Sequence, residues 1–446
     1  MTERSDEREA TATPDSHPRR WLERVKINQF RSVEPGTELR FSDGLHVVLG
    51  KNASGKSTLL DLIAASLDLN FDRPALQGEP LDLEIVLRAG EFRVEARVKR
   101  LVREGRDRGM LGGGDANRSP YQEGHYVFCG PSGFKATVVL TSDDLPKRTV
   151  EGVEPKPYGL DEALGWRHQR PPLAPLLRML RNLWFQGSLY KAPALGSLLG
   201  EGAFSIGDDD QVPIRMPESD ELLKALEGDD FEICLGKGMK SYPGWLPIKM
   251  HDLLPDDGAP IDVPLAHEPI LSAFVHEMGF AEARMYLGPP RVEPRHGMET
   301  FVYSSPTFTF YRDGRLARRG DQLSYGQRRL FALGWYLVCN RDVAILDEPA
   351  NGLHESWVEF LVSQLHQRQV FLTSQNREVL DMLPFHTETE LRRGFVLCES
   401  RPRTGDDEPS LHWRGLREDE AALMIKALRS SRVDLITDLL RVLNLW

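Results

Sequence analysis

From Trp21 the pattern is strand-like: Leu22, Arg24 and Lys26 alternate with Val25 and Ile27, and the segment runs on to Phe30-Arg31-Ser32. A turn at Glu34-Pro35-Gly36 leads to a second short strand at Leu39–Phe41, and Asp43-Gly44 leads to a third, Leu45–Leu49. The first two form a small sheet beside a main one. After a glycine-rich loop, Leu59 to Ala65 carries a helical pattern. Leu81–Leu87 and Phe92–Val98 alternate with period two and join through Ala89-Gly90-Glu91 as a hairpin. Tyr126–Phe128 and Ala136–Leu140 continue as strands. Residues from about 145 to 300 break this rhythm. They are proline-rich, with short helical patterns at Leu173–Trp184 and Glu221–Leu226, no sustained heptads and no readable chemistry. Regular alternation returns at Thr300–Tyr303 and Thr307–Tyr311, a hairpin-like pair closed by Arg312-Asp313-Gly314. A helix then opens at Leu323–Gln327, and the apolar strand Val343–Leu346 ends in Asp347-Glu348. A helix over Ser356–Gln367 leads to the strand Gln369–Thr373. This alternation of strand and helix implies a parallel sheet.

The resulting fold class is α/β: a mixed sheet with a parallel core and an antiparallel subdomain, and an inserted globular lobe, mixed or mostly helical, without a coiled coil. The expected divisions are a disordered leader at 1–20, half of the main α/β domain at 21–145, and the lobe at 146–299. The second half follows at 300–416, and a helical tail at 417–446. In the tail Leu435, Ile436, Leu439, Leu440 and Leu443 form an apolar stripe that either packs on the core or docks a separate protein.

Composition narrows the role. A net charge of -11 leaves no global basic footprint for nucleic acid. The densest basic run, Arg97 to Arg118, reads as a solvated loop or a local contact. Asp208–Asp210 reads as a surface loop ahead of a metal site. No apolar run reaches the length of a membrane span, and the polar leader fits neither a secretory signal nor a transit peptide, so a cytoplasmic protein is expected. Cys129, Cys234, Cys339 and Cys398 are widely spaced, as reduced thiols are.

The chemistry is concentrated in three segments. Gly50-Lys51-Asn52-Ala53-Ser54-Gly55-Lys56-Ser57-Thr58 lies between a strand and a helix, the context a phosphate-binding loop requires. Its backbone N–H groups and the new helix dipole face an anion. Lys56 can bridge terminal phosphates, and Ser57 can hold Mg²⁺. Asp347, at the end of a buried strand, suits the same metal, and Glu348 the attacking water. Ser324, Gly326 and Gln327, at a helix start, offer a hydroxyl, N–H groups and a dipole to a phosphate.

Together these motifs resemble the ABC superfamily of ATPases, closest to the soluble branch that includes RecF, SMC-type and OLD-type proteins. Gly50–Ser57 resembles the Walker A motif, and Leu323–Gln327 the signature motif with Tyr325 at its first glycine position. Val343–Glu348 resembles Walker B with Glu348 as catalytic glutamate, and Asn351–His354 the D-loop. The resemblance places Arg31 at the nucleotide and Gln375 where many members carry a histidine facing the γ-phosphate. Gln77 or Gln122, with Gln122 favoured, would be the glutamine that senses Mg²⁺. It implies ATP and Mg²⁺ as cofactors, and a head-to-tail homodimer in which Ser324 of one copy completes the site of another. Lys56 and Asp347 lie roughly 290 residues apart, unlike in transporter members, so no membrane partner is expected. The chain after Thr373 is too short for a C-terminal nuclease of the OLD type. The role implied is a DNA-associated sensor or motor in genome maintenance or anti-phage defence. The alternative is an ATP-gated scaffold for a separately encoded effector, without nucleic acid.

Overall fold

The computed structural model describes residues 20–68, 79–89, 92–101, 121–129, 135–141, 147–151 and most of 232–442. The expected leader, the Arg103–Arg118 run, Asp208–Asp210, Gln77 and the helical patterns at 173–184 and 221–226 lie outside the described residues.

The five-stranded sheet that carries the phosphate loop has the order β17-β18-β3-β19-β20. It comprises β17 (Val343–Leu346), β18 (Gln369–Thr373), β3 (Leu45–Leu49), β19 (Phe395–Arg401) and β20 (Ser410–Gly415). The first four strands run parallel and β20 is antiparallel. Val343–Leu346 and Gln369–Thr373 are buried along their whole length, which is why both read as continuous apolar runs. Leu346 pairs with Leu372, and Val48 with Thr373, so the carboxyl ends of β17, β18 and β3 finish level with one another. A ligand in an open α/β sheet sits at that end.

A seven-stranded antiparallel sheet stands beside it, in the order β2-β1-β4-β5-β6-β7-β8. Its strands are β1 (Arg20–Phe30), β2 (Thr37–Arg40), β4 (Leu81–Ala89), β5 (Phe92–Leu101), β6 (Tyr121–Cys129), β7 (Lys135–Thr141) and β8 (Lys147–Glu151). The small two-stranded sheet expected before the phosphate loop is therefore the edge of a larger one. Helix α1 (Lys56–Asp68) lies between the two sheets: Leu59, Leu60, Leu62 and Ile63 share one core with Leu22, Val25, Ile27, Leu83 and Ile85, and with Ile345 and Phe371.

The described part of the expected lobe departs from the expectation. It is dominated by strands: β9 (Glu232–Gly236), β10 (Met239–Ser241), β11 (Ile261–Pro264), β12 (Glu282–Leu287) and β13 (Arg291–Arg295), with one helix, α2 (Pro269–Glu277). Alternating burial in Ile261–Pro264 and Glu282–Leu287 is the physical reason, since each strand buries one face. Nor does a boundary fall at 299. It cuts β14 (Met298–Ser304), which pairs with β9 and β13. β15 (Thr307–Arg312) pairs with β12 and with β16 (Arg315–Arg319) rather than with β14. The expected Thr300–Tyr311 hairpin is thus two neighbours in different sheets. The turn at Asp313 (φ 51°) and Gly314 (φ 71°) instead joins β15 to β16, with both central residues left-handed as a tight hairpin requires.

Helix α3 (Tyr325–Cys339) is buried from Leu330 to Val338 and packs on α2 so closely that a Cβ on Gly334 would lie 2.7 Å from the Phe274 ring. Helix α4 (Glu355–Gln364) links β17 to β18, and α5 (Glu388–Gly394) precedes β19. The C-terminal region forms α6 (Glu418–Arg429) and α7 (Leu435–Val442), and Ala421, Met424, Ile425 and Leu440 enter the core. No described helix is long and apolar enough to cross a membrane.

Candidate nucleotide site

The phosphate loop leaves β3 at Gly50 and enters α1 at Lys56. Two positions in it are left-handed, Ala53 (φ 62°) and Gly55 (φ 86°). Space fixes the glycines as firmly as angle does. A Cβ on Gly50 would meet the Cys398 carbonyl at 2.3 Å and the Ser54 hydroxyl at 2.4 Å, and one on Gly55 would meet Leu411 at 2.8 Å. The loop is held down by β19 and β20, with Leu411 and Trp413 beneath it. Burial also pushes the Cys398 thiol above its ordinary range, so it is an inert filler there. Ser54 N–H donates to the Lys51 carbonyl at 3.2 Å, and Leu59 N–H to the Gly55 carbonyl at 2.9 Å, which carries the loop into the helix. The Lys56 ammonium folds back onto the Gly50 and Lys51 carbonyls, at 2.8 and 3.2 Å. Lys51, Asn52 and Ala53 are exposed at the crest, and Thr58 continues the first turn.

The acidic pair sits across β18 from this loop. Ser57 Oγ donates to Asp347 Oδ2 at 3.0 Å, and Thr373 Oγ1 donates to the other carboxylate oxygen. Glu348 is left-handed (φ 48°), a strained state for a residue with a side chain. Both of its backbone groups are pinned: its N–H donates to Thr373 Oγ1 at 3.0 Å, and its carbonyl accepts from the Arg329 guanidinium at 2.6 Å. Its carboxylate Oε2 accepts from Gln375 N–H at 2.9 Å, while Oε1 is buried with no hydrogen-bond partner. Burial is the largest influence on this carboxyl and raises it above the usual range. Asp347 adds to the rise, whereas Gln375 N–H, Lys56 and Arg329 oppose it. Gln375 also donates through Nε2 to Asn52 Oδ1 at 2.9 Å and so ties the end of β18 to the phosphate loop.

Ser57 and Thr373 each present a hard oxygen donor within hydrogen-bond reach of the Asp347 carboxylate. That suits a Mg²⁺ ion that takes one or two protein oxygens and fills its shell with phosphate and water. Among the described residues no cluster of three His, Cys, Asp or Glu competes for a softer metal. Gln122 lies on β6 with its backbone opposite Arg100 of β5. Arg31 is left-handed (φ 45°), 3.4 Å from Glu79 and 5.4 Å above the Phe30 ring.

Ser324 caps α3. Its hydroxyl accepts from Gln327 N–H at 3.3 Å, and the Gln327 side chain accepts from Ser324 N–H at 3.1 Å, a reciprocal capping box. Every hydrogen bond of Ser324 stays inside this helix. Tyr325 is 58% exposed, enough to meet another molecule, and its ring lies over Gly352, where a Cβ would come within 2.8 Å. Gly326 abuts Trp357 and the Gly352 carbonyl, so the expected D-loop and signature segments form one surface.

Thr373, Arg329 and Asn52's tie to Gln375 have site roles that the motifs did not single out. Thr373 was within reach, because pairing β17 beside β18 in parallel places the residue after Leu372 level with Asp347.

Residues 24–108 match the family model for an AAA domain, and residues 248–381 match that for an AAA domain described as putative AbiEii toxin, type IV toxin–antitoxin system. Among curated proteins none matches the chain. Solved structures to which it is similar include an SMC head bound to the C-terminal winged-helix domain of ScpA. That pair shares 13% identity, over 90% of this chain and 99% of the other, with a TM-score of 0.37. The SMC head domain from Thermotoga maritima shares 13% identity over 89% and 99%, with a TM-score of 0.34. The recombination mediator RecF bound to ATPrS shares 14% identity over 81% and 95%, with a TM-score of 0.29.

Proposed function

We propose that the chain, similar to AAA-domain models over 24–108 and 248–381, is an ABC-superfamily P-loop ATPase that binds and hydrolyses Mg-ATP at a site completed by a second copy, closing as a head-to-tail homodimer. The observation that carries this reading is the split of the machinery. Ser57, Asp347, Thr373 and Glu348 form one bonded cluster at the phosphate loop, while Ser324 spends every hydrogen bond within its own helix cap and Tyr325 is exposed beside it.

Lys56 orients the terminal phosphates, and Ser57 and Asp347 would hold a Mg²⁺ ion. When bound, Mg²⁺ neutralises phosphate charge during transfer. Glu348 takes the proton of the attacking water: its Oε1 is unpartnered, and burial makes its carboxylate a stronger base. Gln375 offers neutral hydrogen bonds at the phosphate end, since an amide cannot become a cation. Ser324 of the second copy, with the helix dipole behind it, binds the γ-phosphate from the opposite side. Hydrolysis removes that bridge and releases the pair.

The role that fits best is a DNA-associated sensor or motor in genome maintenance or anti-phage defence, in the cytoplasm, acting with or without a separately encoded effector. Two measurements test the proposal. Glu348→Gln with ATP should run as a dimer in light scattering, and the wild type after hydrolysis as a monomer. A Glu348→Gln variant that stays monomeric with ATP overturns the composite site. ATP turnover should rise with added DNA duplex, and indifference to DNA favours an ATP-gated scaffold instead.

A further inference from the structure

The β15–β16 hairpin carries Arg312, Arg315, Arg318 and Arg319 within eight residues, all exposed. β16 is the last strand of its sheet, in the order β11-β12-β15-β16. Several other arginines on strands meet carboxylates: Arg24 with Glu38, Arg97 with Asp82, Arg284 with Asp262, Arg401 with Glu399, and Arg414 with Glu420. Arg315, Arg318 and Arg319 have no such partner among the described residues. Arg312 donates to the Gly279 carbonyl at 3.0 Å and lies 5.7 Å over the Phe280 ring, contacts that fix its position and leave its charge uncompensated.

The register concentrates this charge. Arg312 pairs directly with Arg315, a like-charge cross-strand pair that by itself weakens the hairpin. Between Phe310 and Tyr311 the pairing shifts, because Ala317 is an extra residue in β16. In a regular strand Arg315 and Arg318 would point to opposite faces. The bulge instead pairs Arg318 with Phe310 and Arg315 with Arg312, two positions on one face, so three arginines gather at one rim of the sheet. Charges on an edge strand also block unwanted pairing, but one or two suffice for that, and they need not face each other.

We propose that this rim binds the phosphate backbone of a DNA duplex, a proposal that rests on the DNA-associated reading above and gives it a surface. Arginine forks match phosphate oxygens two at a time. The strand Arg315–Arg319 contains no aromatic residue on which an unstacked base could lie, so a duplex fits better than a single strand. The bulge breaks the outer ladder, which disfavours addition of an acidic peptide strand. The surface also leads directly to the signature segment. Arg319 opens the 3-10 turn Gly320–Gln322 through a 3.1 Å bond from its N–H to Gln322 Oε1, and Ser324 follows two residues later.

The test is anisotropy of a labelled DNA duplex with the full chain and ATP across a salt series. The variants are Arg315→Gln with Arg318→Gln, and, as control, Arg401→Gln, which removes an arginine already matched by Glu399. The double variant should bind about tenfold more weakly at moderate salt, and its log affinity against log salt should be shallower by about 1.8, some 0.9 per lost phosphate contact. The control should keep the wild-type slope. Melting temperature reports folding; if the double variant does not fold, Arg318→Gln alone should remove about half of that slope change. Wild-type binding with an unchanged slope in the variants overturns this surface and leaves DNA association standing. Absence of duplex binding by the wild type overturns both. Binding of a polyglutamate peptide or of single-stranded DNA in preference to the duplex also overturns the proposal.

Discussion

Glu348 is held in a backbone state it does not favour, by Thr373 on its N–H and Arg329 on its carbonyl. Its carboxyl is raised by burial. Replacing it with Gln should cut turnover by about 10²–10⁴-fold with ATP affinity retained, measured as steady-state hydrolysis beside nucleotide binding. The same change should affect stability in a pH-dependent way. The folded form holds the Glu348 proton more tightly than the unfolded chain does. The stabilising linkage is therefore complete below the ordinary carboxyl range and is lost as pH rises through the folded-state value. Gln is neutral throughout. The melting temperature of Glu348→Gln should exceed that of the wild type at neutral pH, and the difference should vanish near about pH 4. Thr373→Val should leave the Glu348 N–H and one Asp347 oxygen unserved, at a cost of about 1–3 kcal/mol in denaturant unfolding. Sequence reasoning singled out Glu348, Asp347, Ser57 and Lys56, which the fold brings close to one another, because their chemistry is written in side-chain type and spacing. Arg329 escaped it. Its contribution is a bond to a backbone carbonyl nineteen positions away, and no residue pattern records which carbonyl a helix will face.

Elements were most legible where one strand buries both faces or alternates cleanly. Val343–Leu346, Gln369–Thr373 and the hairpin Leu81–Ala89 with Phe92–Leu101 stand where periodicity put them. Pairing was less legible than strands. Thr300–Tyr303 and Thr307–Tyr311 are close in sequence, yet β14 binds β9 from more than sixty residues upstream, because long-range sheet partners leave no local mark. The edge strand β17 shows another device. The Tyr336 hydroxyl of α3 donates to the Ile345 carbonyl at 3.2 Å and accepts from the Ile345 N–H at 2.8 Å, closing with a side chain the edge that no described strand covers. Tyr336→Phe should leave both buried groups unpaired and cost about 1–3 kcal/mol or more in urea unfolding. Amide exchange at Ile345 should accelerate with it.

At the scale of the molecule, the net charge of -11 spreads the chain's electrostatics against nucleic acid, so any contact with DNA must be local. The β16 rim is such a place, and no count of charges reveals it, because the bulge at Ala317 turns Arg318 to the side of Arg315.

Helix α3 carries a further consequence. Its first turn bears Ser324, the group that the proposed dimer would offer to a neighbour's phosphate, and its second bears Arg329, which holds the protomer's own Glu348. In that proposed dimer one rigid rod would belong to two active sites at once. Occupancy of either site then biases the geometry of the other, and by linkage the bias runs equally in both directions for binding. ATP should bind the dimer with a Hill coefficient well above one, approaching about two for two strongly coupled sites. Arg329→Ala should lower it towards one while Lys56 and Ser57 still bind nucleotide. In the proposed dimer the protein would answer to ATP concentration as a threshold, its width set by a guanidinium bonded to the Glu348 carbonyl.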